Sequence, residues 1–172
     1  MFNHYVAKLL YFCNCARPDI QMVIAFLNTR VKAPDQDESK KRHHEMRYFR
    51  ATQELTLTLE SDDSLQPSWW VDASFATHHY MKSHTGGLMT LGQGAVYASS
   101  RRQNINTCSS TEAELVGMND VLLQILWTRY KMEAQGYQCK STPIYQDNMS
   151  TILLAKNGRM SSSKQTRHIN VR

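Results

Sequence analysis

The sequence predicts an α/β protein: a mixed β-sheet with flanking helices, preceded by a mainly helical segment. Three observations carry that expectation. Between residues 68 and 99, three short runs have strand character and are separated by turn residues. From Ser110 to about Gln135, apolar residues recur at helical spacing. A fourth strand-like run, Thr142 to Gln146, leads directly into a helical stretch from Met149 to Lys156.

Taken in order, the first element is helical. Leu9, Leu10, Cys13, Ile20, Val23, Ile24 and Leu27 recur at spacings of three, four and seven between Val6 and Val31. Arg17-Pro18-Asp19 interrupts that stretch, and Pro18 suits the first turn of a second helix. A polar loop with Pro34 precedes a basic helix from about Glu38 to Arg50. Leu55-Thr56-Leu57-Thr58-Leu59 alternates like a strand. Ser61-Asp62-Asp63-Ser64 is the most linker-like stretch, which divides the chain into parts 1–65 and 66–172. The second part opens with a strand, Ser68 to Phe75, with Trp69, Val71, Ala73 and Phe75 on one face and Trp70, Asp72 and Ser74 on the other. Gly86 to Leu91 and Ala95 to Ser99 read as two strands joined through Gly92-Gln93-Gly94. Leu115, Met118, Leu122, Ile125, Leu126 and Trp127 give the long helix a broad apolar face. Asn157-Gly158 closes the last helix, and the chain beyond is polar.

At 172 residues the chain holds one domain, or a small domain plus a fragment. No run of 18 apolar residues suggests a membrane span, and the first residues lack a signal-peptide layout. Cys13, Cys15, Cys108 and Cys139 form no paired motif and read as reduced thiols of an intracellular protein. The net charge of +5 is uneven. Residues 1–65 hold nine basic and nine acidic side chains; residues 66–172 hold eleven against six. A basic body around a few acids suits a polyanionic partner, although an ordinary basic surface has the same composition.

Three of those six acids sit on regular elements: Asp72 inside a strand, Glu114 in a helix's first turn, and Asp147 at a strand end. Clustered carboxylates of this kind hold paired divalent ions about 4 Å apart in phosphodiester-cleaving sites. Asp72 lies between Val71 and Ala73, where a carboxylate is costly unless paired or metal-bound. Glu112 competes with Glu114 for the helix position. Ser109 and Glu112 form a capping box, which draws Glu112 back to the helix start. Glu114 shares the inward face with Met118 and Leu122 instead. The competing arrangement has Thr111 capping the helix with Glu114 as its partner. Asp147 has an alternative use as a helix N-cap. Arg101, Arg102, Lys156, Arg159, Lys164 and Arg167 are candidate phosphate contacts, with a solvated surface as the other reading. His78, His79 and His84 share one loop without Cys or acid at ligand spacing, and His43-His44-Glu45 lacks the second His of a helical zinc motif.

Six blocks together resemble a known family. Trp70-Val71-Asp72-Ala73-Ser74-Phe75, Thr85-Gly86-Gly87, the run from Val96 to Gln103, and Ser109-Ser110-Thr111-Glu112-Ala113-Glu114-Leu115 resemble the ribonuclease H domain of copia-type LTR retrotransposons. Tyr145-Gln146-Asp147-Asn148 and Lys164-Gln165-Thr166-Arg167-His168-Ile169 continue the likeness in order, over about residues 67–172. Upstream, Ala7-Lys8-Leu9-Leu10-Tyr11 and Ala16-Arg17-Pro18-Asp19-Ile20 resemble the thumb-like tail of the same polyprotein's reverse transcriptase. The resemblance implies a ribonuclease H-like fold behind a reverse-transcriptase remnant. It implies an endonuclease that cuts the RNA strand of an RNA–DNA hybrid with two Mg²⁺ (or Mn²⁺) ions on Asp72, Glu114 and Asp147. Contacts to the 2′-OH would mark the RNA strand. The implied partners are the hybrid and the rest of the polyprotein, in a cytoplasmic virus-like particle for an intact element, with no membrane.

Two departures shape the expectation. The family continues with a further strand and a final helix carrying a fourth acid, whereas this chain ends at Arg172. Asn170 stands where the family has Asp after the His-Ile pair. The expectation is therefore a C-terminally truncated domain with reduced activity, the alternative being an inactive nucleic-acid-binding relic. The polymerase's Tyr-x-Asp-Asp core is absent, so no polymerase activity is expected.

Overall fold

The computed structural model describes residues 2–32, 36–62 and 64–157. Helices come first: α1 (Phe2–Cys15), a 3-10 turn (Pro18–Ile20), α2 (Gln21–Asn28) and α3 (Gln36–Ala51). Pro18 opens the turn because a missing N–H costs nothing at a helix start. The three-and-four spacing of the first part closes on itself: Val6, Cys13, Ile20, Ile24 and Leu27 form one buried cluster, with Leu9, Leu10, Val23 and Phe49 against it. Arg17, almost fully buried, ties the cluster together. Its guanidinium donates to the Asp19 carboxylate at 2.8 Å and to the Thr52 carbonyl at 3.0 Å. A charge buried this deeply is tolerable only when so paired.

The strand expected at Leu55–Leu59 does not form. Leu55 and Leu59 are exposed, so its alternation serves no buried face. Pairing begins one residue later, where β1 (Glu60–Ser61) meets β4 (Gly92–Gln93) in a two-residue antiparallel ladder. Gly94, at φ +73°, turns the chain there; a Cβ on it would lie 2.1 Å from the Thr58 carbonyl oxygen.

The main sheet comprises β2 (Ser68–Ser74), β3 (Lys82–Thr90), β5 (Tyr97–Asn106) and β6 (Ile144–Tyr145), in the order β5-β3-β2-β6. β2–β3 and β3–β5 are antiparallel, and β2–β6 is parallel. α4 (Ser110–Ala134) packs on β2 and β3, and α5 (Met149–Asn157) follows. This is the mixed α/β sheet with flanking helices that the ribonuclease H resemblance implies. Trp69, Val71, Met89, Val121 and Ile125 form its core, joined by Leu91, Tyr97, Met118 and Ile144. Trp69 is fully buried; removing an aromatic of this kind typically costs about 3–5 kcal/mol.

The helix face differs from expectation in one respect. The buried line runs through Leu115, Val121, Ile125 and Thr128 with Met118 half-buried, whereas Leu126 and Trp127 are exposed. They follow Ile125 by about 100° and 200° around the axis, which carries them off the sheet. On the far side of the sheet, Gln21 of α2 donates to the Ala98 carbonyl of β5 at 2.9 Å. This contact leans the helical part over the face that carries Trp70, Asp72 and Ser74. No helix among the described residues is long and apolar enough to cross a membrane.

Candidate metal centre

Parallel pairing places two of the acids. β2 and β6 pair Trp69 with Ile144 and Trp70 with Tyr145, and there β6 stops. Asp72 and Asp147 each lie two residues beyond the last pair, at the same carboxyl edge. This is where sites gather in sheets with parallel strands. The start of α4 brings the third acid, Glu114, to the same edge. Ser109 caps that helix, its hydroxyl accepting the Glu112 N–H at 3.2 Å, a contact worth about 1 kcal/mol. Gln103, 1% exposed, donates to the Ala113 carbonyl at 2.8 Å and to the Thr85 hydroxyl at 3.0 Å, pinning the first turn to β5 and β3. Gly117 lets the helix close on β2, since a Cβ there would meet the Ala73 Cβ at 3.3 Å. The result is a triad: ligand oxygens of Asp72, Glu114 and Asp147 all lie within 4.8 Å of one another.

Burial does not separate Glu112 from Glu114, because both are buried. Their partners do. The Glu112 carboxylate accepts the Cys108 N–H at 2.7 Å, one residue before the N–H a standard capping box would use. Glu114 turns to the triad and accepts from the Gln146 side-chain amide at 3.0 Å. The other end of that amide accepts the Asn148 N–H at 3.1 Å, which fixes its orientation. Asn148 in turn accepts the Thr151 N–H at 3.0 Å, so it caps α5 and relieves Asp147 of that role.

Burial holds the Glu114 carboxyl above the usual carboxylate range, and the charges of Asp72 and Asp147 push the same way. The hydrogen bonds from Gln146 and the Ala73 N–H pull it back. The donor set is three hard carboxylates, two of them exposed. Such oxygen ligands suit Mg²⁺ or Mn²⁺, and the exposed side leaves room for water and substrate oxygens. The residues therefore fit a divalent metal site.

The remaining candidates are elsewhere. Arg101 is occupied on the α4 side of the sheet, donating to the Asp120 carbonyl and lying 3.9 Å from its carboxylate. Arg102 and Lys156 are exposed. None of these three lines the cleft beside the triad. Arg159, Lys164, Arg167, Asn170 and the block from Lys164 to Ile169 lie outside the described residues. The histidines show an arrangement that spacing did not suggest. His78 Nε2 lies 2.7 Å from His84 Nδ1, and His84 Nε2 lies 2.6 Å from the Ser100 hydroxyl. Phe26 of α2 stacks on His78 at 5.2 Å. Burial, then the neighbouring His84 and Arg102, lower His78 from 6.5 to about 4. Gln146, just past β6, was also missed; its amide is what Glu114 meets.

No protein-family model matches the chain. It is 28% identical over 172 residues, 99% of its length, to the retrovirus-related Pol polyprotein from transposon TNT 1-94 of Nicotiana tabacum. It is 26% identical over 159 residues, 91% of its length, to the retrovirus-related Pol polyprotein from transposon RE2 of Arabidopsis thaliana. The chain spans 13% and 11% of those polyproteins. Its sequence is similar to retrovirus-related Pol polyproteins of plant transposons, and its ribonuclease H-like α/β fold carries a candidate metal-binding triad.

Proposed function

We propose that this chain is a ribonuclease H-type endonuclease module of a retrotransposon polyprotein, cutting the RNA strand of RNA–DNA hybrids. The observation that carries the reading is the convergence of Asp72, Glu114 and Asp147 within 4.8 Å at one sheet edge. Asp72, Glu114 and Asp147 would hold two Mg²⁺ or Mn²⁺ ions. Bound there, such ions supply an acidified water and neutralise charge on the phosphate oxygens. The chain's own part is positional. Gln146 and the Ala73 N–H orient Glu114; Asp72 and Asp147 stand exposed at the carboxyl edge of β2 and β6. The excess of basic side chains in residues 66–172 favours a polyanionic partner. We place residues 1–65 as the tail of the preceding reverse transcriptase and residues 66–172 as the ribonuclease H part.

The test is incubation with a labelled RNA–DNA hybrid, single-stranded RNA and double-stranded DNA in Mg²⁺, beside Asp72→Asn. Cleavage of the hybrid's RNA strand alone, lost in the variant, is the expected result. Hybrid binding without cleavage would instead make the chain an inert nucleic-acid-binding module.

A further inference from the structure

The cleft beside the triad holds a second cluster that the metal site does not use. Ser100 of β5 and His84 of β3 both line the cleft, and His78 stands behind His84. The Ser100 hydroxyl lies 2.6 Å from His84 Nε2, and His84 Nδ1 lies 2.7 Å from His78 Nε2. His78 and His84 are 6% and 8% exposed, whereas Ser100 is half-buried. Both rings are held in place: Phe26 stacks on His78, and His84 is bonded at each nitrogen. Burial lowers both imidazoles, so at neutral pH each offers one donor and one acceptor nitrogen. His78 Nδ1 is buried and has no hydrogen-bond partner among the described residues. A buried histidine pair ending in an unpartnered nitrogen is a costly way to fill an interior. A hydroxyl, a base within hydrogen-bond reach and a third group orienting that base are the parts of an activated nucleophile.

We infer that Ser100 is an activated nucleophile that takes the acyl group of a small, uncharged ester, with His84 as its base and His78 as a positioning residue. The nuclease reading has no part in this. In the direction that serves attack, the Ser100 hydroxyl donates to His84 Nε2 and the His84 Nδ1–H donates to His78 Nε2. Ser100 Oγ bonds to the carbonyl carbon as its proton passes to His84 Nε2. The bond to the leaving alcohol then breaks, and the alcohol departs with that proton. Water, giving a proton to His84, attacks the acyl-serine; the acid leaves and Ser100 Oγ takes the proton back. Arg102 stands two residues on, on the same face of β5, and pairs with His84 in the β3–β5 register. That is one step of about 6.6 Å, within reach of its guanidinium for the carbonyl oxygen as it gains charge. Met22, Leu88 and Ala98 give the cleft apolar lining for the acyl group, and its volume of about 560 Å³ suits a small molecule. Asp72 and Asp147 line the same cleft and disfavour an anionic substrate.

The probe is a fluorophosphonate, which bonds its phosphorus to a serine Oγ and releases fluoride; mass spectrometry of peptides locates the label. General-base assistance is worth about 10²–10⁴-fold, so folded wild type should label at Ser100 at least about 100-fold faster than the same chain unfolded in urea. His84→Gln should fall to the urea rate. His78→Phe keeps the stack on Phe26 but accepts no proton, and should lose at least about tenfold. His78→Gln, whose amide oxygen can accept from His84 Nδ1–H, should restore most of that loss. Folded wild type should also release p-nitrophenolate from p-nitrophenyl acetate, and Ser100→Ala should not. Thermal melts accompany each variant, and the comparison with urea carries the test if a histidine variant fails to fold. Ser100 labelling no faster in folded wild type than in urea overturns the inference, as does full-rate labelling in a folded His84→Gln. Equal nitrophenolate release by wild type and Ser100→Ala overturns the ester as its substrate.

Discussion

Neutralising one acid of the triad should stabilise the metal-free protein while abolishing its response to metal. The three ligand oxygens lie within 4.8 Å of one another, so even at the dielectric of water each charge pair repels by about 0.9 kcal/mol. Asp72 is exposed, so the water limit is the appropriate one for its two pairs. Asp72→Asn removes both and should raise stability by about 2 kcal/mol at low ionic strength. For a chain of this size that corresponds to roughly 3–7 °C in Tm. Mn²⁺ acts the other way on wild type: at a hundred times its Kd it adds about 2.7 kcal/mol. Circular dichroism melts in EDTA and in saturating Mn²⁺ would show the order of the two proteins invert. Asp72→Asn melting at or below wild type in EDTA would refute the electrostatic argument. Equal Mn²⁺ responses in the two proteins would refute the metal assignment.

Gln146→Leu should weaken Mn²⁺ binding about 10- to 100-fold with little change in Tm, because it releases Glu114 from its orienting donor; calorimetric titration with Mn²⁺ checks this, and unchanged affinity counts against the role. Gly117→Val should cost about 1–3 kcal/mol in urea unfolding and lower metal affinity, since the β-carbon already meets Ala73 at 3.3 Å and the extra methyls must push α4 away. The buried histidine pair sets an acid limit. His78 is depressed to about 4 from 6.5, so its contribution is fully present above pH 6.5 and is lost as pH falls toward 4, by at most about 1.4 kcal/mol per pH unit. His78→Phe, which keeps the stack on Phe26, should flatten that slope in urea titrations across the window; parallel slopes would count against it. Glu114 has the opposite sign: its raised carboxyl makes the metal-free protein lose stability as pH rises from the ordinary carboxylate range through its own value, and Mn²⁺ should erase that loss.

Elements were legible where burial fell on one face. β2 shows alternation because Trp69, Val71 and Ala73 face α4 while Trp70, Asp72 and Ser74 face out. The same rule misled at Leu55–Leu59, where a clean alternation has no sheet beside it. β5 was under-read for the converse reason. It continues through Arg101, Arg102 and Gln103 to Asn106, and its one fully buried residue in that half is polar. Gln103 is held inside by hydrogen bonds to Thr85 and Ala113, so hydrophobic patterning carries no trace of it.

The site divides along the same line. Helix phase distinguished Glu114 from Glu112 because their directions differ by about 200° around the axis, a property of spacing alone. What spacing could not supply is why Asp147 is available. That depends on the neighbouring residue: Asn148 caps α5, and its own N–H holds the Gln146 amide that steadies Glu114. One short run, Gln146-Asp147-Asn148, thus orients the helix acid, supplies the strand acid and starts the next helix. Asn148→Ala should therefore act at a distance. It removes a cap worth about 1 kcal/mol, and by loosening the chain beneath Gln146 it should weaken Mn²⁺ binding although Asn148 donates nothing to the metal. A variant that loses stability and keeps full Mn²⁺ affinity would show that the cap and the carboxylate cluster are built independently.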